Sequence, residues 1–312
     1  MVDLTRTAQS IPLALMIAAV SSSSFASTIT LPGSWTPSGY EGIAQQAGTL
    51  EGIYGINAVR IDTTTPCLTF FTSALSQNQK LVAKTTATFL TSNRLDFALN
   101  GNYFNSIQQG NNLTTVNGIA VSDGTIVNGT PATAQTFNIT SGNVASISSY
   151  GSIGNIGSPA SGSLYNAVSG FQVQLNGALD TSIFSASDPS VAARSAIGLS
   201  QNSQYVYFVT IDGSSGDAGG ATYSDLANVL NLLGSYNALN LSGGNTSSLV
   251  KKSNNVAGYT VLNKPASGSL VLVGNSIGVD PPLDSSVPEP ATYLGGLVAL
   301  GFGFLLRNKI KN

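Results

Sequence analysis

The residues able to do chemistry are few, and most stand where an apolar run stops. The 312-residue chain has no histidine. That removes Ser-His-Asp and Cys-His catalysis, histidine-ligated zinc, and histidine as a general base. Acid–base work falls to a carboxylate, or to Lys or Tyr. Cys67 is the only cysteine, so no internal disulfide forms, and it is expected to pack as a small buried apolar residue. Arg194 stands in "ARSAIG", Asp212 follows "YVYFVTI", and Asn100 and Asn240 each end a buried strand close to glycine. Asn263 repeats that pattern more weakly. In "ALNLSGGNTSSLV", residues 238–250, a short apolar strand breaks into Gly243 and Gly244. Glycine allows positive φ and close backbone approach. The polar residues after it fit a hairpin loop, or a lining of N–H groups and hydroxyls for an anionic or sugar ligand.

These residues need elements to position them. "INAVRIDTTTPCLTFFTS" predicts two strands around a turn at Thr64 to Pro66, and "LVAKTTATFLTSN" a short helix. "FALNGNYFN" is a strand entering a turn at Asn100-Gly101. "NGIAVSDGTIVNG" is a hairpin with a tight turn at Asp123-Gly124, where Asp123 is a turn residue. "LYNAVSGFQVQLNG" is a strand ending at Asn176-Gly177, and "ARSAIGLSQNSQYVYFVTIDG" is the strongest hairpin. Between the last two hairpins, Gly142 to Gly162 is low in complexity, a loop or irregular strands. In "TYSDLANVLNLLGS", Leu226, Val229, Leu230 and Leu233 recur at helical spacing. Thr222 with Asp225 forms a capping box, and Gly234 ends the helix. Many strands with few helices predict an α+β fold, a single mixed-sheet domain.

The two ends read as addresses. Residues 1–26 carry Arg6, an apolar run from Ile11 to Val20 and a small-residue exit at Ala26, the pattern of a secretory signal peptide. Residues 27–54 are expected to be an irregular lead-in, and residues 55–285 the domain. Outside the two ends, 12 acids face 8 bases, a net charge of −4 with no basic stripe for nucleic acid. Residues 291–306 are apolar without a charge, and Arg307, Lys309 and Lys311 follow. This reads as a transmembrane segment with its basic end cytoplasmic. Together with Pro288-Glu289-Pro290 it resembles the PEP-CTERM sorting signal, here residues 286–312. The resemblance implies signal peptidase and exosortase as partners. It also implies transient anchoring in the inner membrane of a Gram-negative-type bacterium, then the cell surface or extracellular matrix.

Taken in order, the turns resemble the phosphodiester glycosidase domain, over residues 55 to 280. "FALNGNYFN" is similar to that family's Ile-Asn-Gly-Gly-Phe-Phe, "NGIAVSDGTIV" to its Gly-x-x-x-x-Asp-Gly pair, and "ARSAIG" to Arg-Thr-Ala-Ile-Gly. "NAVSGFQVQLNG" is similar to the glycine-containing strand before the arginine. "VTIDG", a helix and "ALNLSGGNTSSLV" follow the order Val-Asp-Gly, helix, Asn-Leu-Asp-Gly-Gly-Gly-Ser-Ser, and "VLNKPASG" resembles Asn-x-Pro-Ser. The chain departs from the pattern at Asn102, Ser214, Asn245 and around Ser269-Leu270. The weightiest departure is Ser242, which stands where the family has aspartate.

The resemblance implies an enzyme of sugar-1-phosphodiesters without a cofactor, or an inactive relative that binds glycan or builds the matrix. Such a substrate needs donors for the phosphate, a carboxylate, and polar groups for sugar hydroxyls. Arg194 is the expected phosphate ligand, or else half of an ion pair with Asp212 or Asp188. Asp212 is the expected catalytic carboxylate, or a turn cap. Asn100, Asn240, Ser242, Gly243, Gly244 and Asn263 are the expected substrate-binding set, the asparagines alternatively holding loose backbone ends.

Overall fold

The alternation along the strand Asn237–Asn240 shows how the layers arise. Ala238 packs into one hydrophobic core and Leu239 into another, because successive side chains leave opposite faces of a strand. The computed structural model describes residues 27–76, 78–131, 134–253 and 258–282. The expected signal peptide and sorting signal lie outside the described residues.

Two antiparallel sheets stack face to face. The larger has 13 strands, with a central order Ile43–Leu50, Tyr54–Asp62, Tyr205–Ile211, Arg194–Leu199, Asn237–Asn240, Asn166–Leu175 and Gln135–Ile139. The smaller has five: Tyr259–Val261, Leu249–Lys252, Phe97–Asn100, Ser276–Asp280 and Thr69–Thr72. Val59, Ile61, Phe97, Leu99, Phe208 and Leu239 fill the space between them. Each fully buried side chain of that size stabilises by about 1.5–3 kcal/mol.

One helix covers each outer face. The helix α1 (Thr86–Asn93) packs Phe89 and Leu90 against Ala98 and Val250 of the smaller sheet. The helix α2 (Tyr223–Leu233) packs Leu226, Val229, Leu230 and Leu233 on the larger sheet. Its start is fixed by the predicted box: Thr222 Oγ1 accepts from Asp225 N at 3.0 Å, and Asp225 Oδ2 accepts from Thr222 N at 3.0 Å. Gly234 closes it at φ +97°. The result is an α+β stack of helix, sheet, sheet and helix, mostly sheet. Among the described residues no helix is long and apolar enough to cross a membrane.

Several local expectations are revised. The stretch read as an irregular lead-in contains the strand Ile43–Leu50, paired along its length with Tyr54–Asp62. Gln45, Gln46 and Gly48 hide its strand character, which the pairing supplies. Cys67 is exposed at φ +60°, not buried, because it ends the turn that carries the chain from one sheet to the other. The first helix begins at Thr86 rather than Leu81, since Leu81–Val82 pairs as a strand and the Thr85 side chain caps Thr88 N. The low-complexity stretch holds one short strand, Ala145–Ser148.

Candidate functional site

Register sorts the expected site residues onto two faces. In the larger sheet Asn240 lies opposite Ala196 on one side and Phe171 on the other. Ala196 belongs to the core under α2, and Arg194 is two residues before it. Arg194, Asn240 and Phe171 therefore share the α2 face at one end of the sheet. Ser195, with the opposite alternation, points between the sheets, and there it meets Asn100.

The residues between the sheets brace the glycine turn. Asn100 has no exposed surface. Its Oδ1 accepts from Ser195 Oγ at 2.7 Å and Ser248 N at 3.0 Å, and its Nδ2 donates to Ser242 O at 2.6 Å. Asn263 accepts from Leu249 N at 2.8 Å and donates to Ser247 O at 3.1 Å. Both asparagines thus hold backbone at the ends of strands. A Cβ at Gly243 would lie 2.9 Å from Ala193 O, so the close backbone approach is real. Much of the expected N–H cradle is taken up inside the protein. Ser242 N donates to Gly101 O, Gly244 N to Ala193 O, Thr246 N to Gly243 O and Ser247 N to Gly244 O. With those N–H groups bonded inside the protein, the turn does not offer them to an anion. Ser242 Oγ is paired with Thr246 Oγ1 at 2.9 Å.

Arg194 is the chemically conspicuous group on the α2 face. It is 5% exposed. Nε donates to Ala221 O and Nη2 to Ser190 O, both at 2.9 Å. Of the five N–H donors of a guanidinium, these use two. No carboxylate pairs with it among the described residues, where the one ion pair is Lys252–Asp96. Asp188 feels the charge without touching it. Ser190 is the main cause of its lowered pKa, through side-chain and backbone hydrogen bonds, and Arg194 adds a smaller push. The Tyr223 ring lies 3.9 Å from the guanidinium carbon. A cation–π contact is worth about 0.5–2 kcal/mol, while an unpaired buried ion costs several. Arg194 opens with Tyr223 and Ser190 into a hollow of about 390 Å³.

An aromatic row extends from this point. Tyr223 stacks on Phe184 at 3.9 Å, Phe184 meets Phe171 edge-on at 6.5 Å, and Phe171 meets Tyr103 at 5.3 Å. Asn240 Nδ2 donates to Tyr103 Oη at 2.5 Å, which leaves the Tyr103 O–H to donate elsewhere. Burial, with a contribution from Tyr223, pushes the Tyr103 hydroxyl up to about 12 against the opposing charge of Arg194, so it stays protonated. Asn240 Oδ1 is buried without a partner among the described residues. Beyond Tyr103 and Phe171 opens a cleft of about 620 Å³.

Asp212 leaves the other face. Ile211 is the register partner of Arg194 and packs under α2. Asp212 comes next and accepts from Lys264 N at 2.9 Å. Lys264 follows Leu262, which packs on the core between the sheets. Burial raises the Asp212 pKa, and backbone N–H groups of Lys264 and Gly55 oppose it. No bond joins Asp212 to Arg194 among the described residues, so the alternative ion pair is not formed.

A family model for phosphodiester glycosidases matches residues 93–280, more than half of the chain. The chain belongs to the phosphodiester glycosidase family. Its fold is similar to the catalytic domain of zebrafish N-acetylglucosamine-1-phosphodiester alpha-N-acetylglucosaminidase, auto-inhibited by its pro-peptide. That match has a TM-score of 0.55 at 14% identity, over 82% of this chain and 83% of that one. A hypothetical protein from Synechocystis matches at TM-score 0.50 and 17% identity, over 81% of this chain and 64% of that one. A presumed exported protein of Burkholderia pseudomallei matches at 0.51 and 11%, over 75% and 74%. This chain thus spans less than two thirds of the Synechocystis protein. At these identities the likeness is one of fold. No curated protein matches the sequence.

Tyr103, Phe171, Phe184 and Tyr223 escaped the sequence reading. Tyr103 and Phe171 lie inside motifs quoted for their asparagine and glycine. The aromatic residues themselves were the available signal.

Proposed function

We propose that this family member hydrolyses sugar-1-phosphodiester linkages of extracellular or envelope glycans, with the phosphate held at Arg194. The observation that carries the reading is the buried guanidinium, without a carboxylate partner among the described residues, at the head of an aromatic row. Three of its N–H groups remain for phosphate oxygens, and a planar fork suits two of them at once. The Tyr103 O–H is a second donor on the same face, oriented by Asn240. In this reading Asn100 and Asn263 act as positioning residues for the turn of Ser242, Gly243 and Gly244.

The test is turnover of a chromogenic sugar-1-phosphodiester. Wild-type protein should release the chromophore, and Arg194→Gln should lose about 10²-fold or more, the scale of a transition-state donor. Wild-type protein that binds the diester without turning it over supports a second reading, a glycan-binding relative without catalysis. Two observations favour that alternative: Ser242 carries a hydroxyl where the family motif has a carboxylate, and Asp212 faces away from Arg194.

We also propose export and surface sorting, on the strength of residues 1–26 and 286–312 with the domain at 55–285 between them. Signal peptidase and an exosortase are the processing partners. Mass spectrometry of the mature extracellular protein should find neither the first 26 residues nor those after Pro290. A surface form ending at Asn312 would make the tail a permanent anchor.

A further inference from the structure

The cleft beyond Tyr103 and Phe171 has a chemistry of its own. Among the described residues, none of the side chains that line it is charged. At about 620 Å³ it falls within the roughly 300–1,000 Å³ of small-molecule sites. Tyr103 and Phe171 meet at 63° and form an apolar corner. Around that corner stand Asn105, Thr115, Asn117 and Asn128.

Their hydrogen bonds show what is left for a ligand. Asn105 Nδ2 donates to Thr115 Oγ1 at 2.7 Å, which frees the Thr115 O–H to donate and Asn105 Oδ1 to accept. Asn128 Nδ2 donates to Val116 O at 3.0 Å and Gly118 O at 2.7 Å, leaving its Oδ1 as an acceptor. The Asn117 amide has no side-chain bond among the described residues, so it offers both kinds of atom. Its backbone N–H donates to Tyr103 O at 2.7 Å and fixes it beside the ring. Donors and acceptors are both present and no cation lines the cleft among the described residues, which disfavours an anion. Hydroxyl groups, which donate and accept at once, match the set, and the C–H face of a sugar ring matches the corner.

We propose that this cleft binds an uncharged sugar residue of the glycan and discriminates against uronate-type sugars. The proposal deepens the reading above and rests on it for the phosphate at Arg194. The site then has two arms, an anion end at Arg194 and a neutral sugar end at Asn117, joined by the aromatic row.

The experiment is calorimetric titration with tetrasaccharides of N-acetylglucosamine, glucose, mannose and galactose, with tetragalacturonate, and with a benzyl sugar-1-phosphodiester. At least one neutral tetrasaccharide should bind, and tighter than tetragalacturonate. Asn117→Ala and Phe171→Ala should each weaken it about tenfold or more, the scale of a lost polar or aromatic contact. Phe171→Ala needs a thermal melt beside it. Asn117 is exposed, so Asn117→Ala keeps the test decisive if Phe171→Ala fails to fold. Failure of every neutral tetrasaccharide to bind, equal binding of tetragalacturonate, or indifference to Asn117→Ala overturns the proposal. Failure of the phosphodiester to bind while a neutral tetrasaccharide does would overturn the Arg194 reading and keep the cleft.

Discussion

The guanidinium of Arg194 lies 3.9 Å from the ring centre of Tyr223, the first residue of α2. The Thr222 cap therefore sets the position of the charge as well as the start of a helix. Tyr223→Leu should remove the cation–π contact, about 0.5–2 kcal/mol, and leave the hydrogen bonds to Ala221 and Ser190. The contact exists without ligand, so the loss should appear as lowered stability in denaturant unfolding, and diester affinity, read by calorimetry, should change less than the unfolding free energy does. Unchanged stability would mean that the ring does not hold the charge.

Two mutants assign the carboxylate. Asp212→Asn should abolish turnover if Asp212 activates water, and Ser242→Asp should then change little. If Ser242 marks a lost carboxylate, Ser242→Asp should raise turnover about 10²–10⁴-fold, the usual contribution of a general acid or base. Rates on the chromogenic diester, each with a melt, separate the outcomes.

Asn100 should matter to stability more than to binding chemistry. Asn100→Ala leaves Ser195 Oγ, Ser248 N and Ser242 O without their partner in a fully buried place. Each unsatisfied group costs about 1–3 kcal/mol, so denaturant unfolding should show a loss of at least about 2 kcal/mol. A loss below about 0.5 kcal/mol would mean that water replaces the amide.

Much of the frame was legible in the sequence because its signals are local. The spacing of Leu226, Val229, Leu230 and Leu233, between Thr222 and Gly234, specifies α2 without help from the rest of the chain. The turn at Asp123 declares itself in the same way, through φ +49° followed by Gly124 at +70°. The strand Ile43–Leu50 did not, since Gln45 and Gln46 become strand only beside a partner. The asparagines were ambiguous for another reason. A side-chain amide that caps a buried backbone and one that meets a sugar look alike in sequence, and only register put Asn100 and Asn240 on opposite faces. The aromatic row draws on residues 103, 171, 184 and 223, and no window of sequence contains it.

Acid should stabilise the far end of the smaller sheet. Burial, then a hydrogen bond and like charge from Asp96, pushes the Asp280 carboxyl from 3.8 up to about 6 despite Lys252. The folded state thus keeps a proton that the unfolded chain releases. Its contribution is full below pH 3.8 and lost as pH rises through about 6. Melts across that window should show wild-type stability falling relative to Asp280→Asn, and parallel curves would contradict the assignment.

The most direct test of the central claim is binding of one sugar-1-phosphodiester against the same sugar without phosphate, to wild-type protein and to Arg194→Gln. A buried guanidinium waiting for phosphate predicts that the phosphate strengthens binding to wild type at least about tenfold, about 1.4 kcal/mol. Arg194→Gln should erase that difference. Equal binding of the two ligands to wild-type protein, or a phosphate preference that survives in Arg194→Gln, would contradict it.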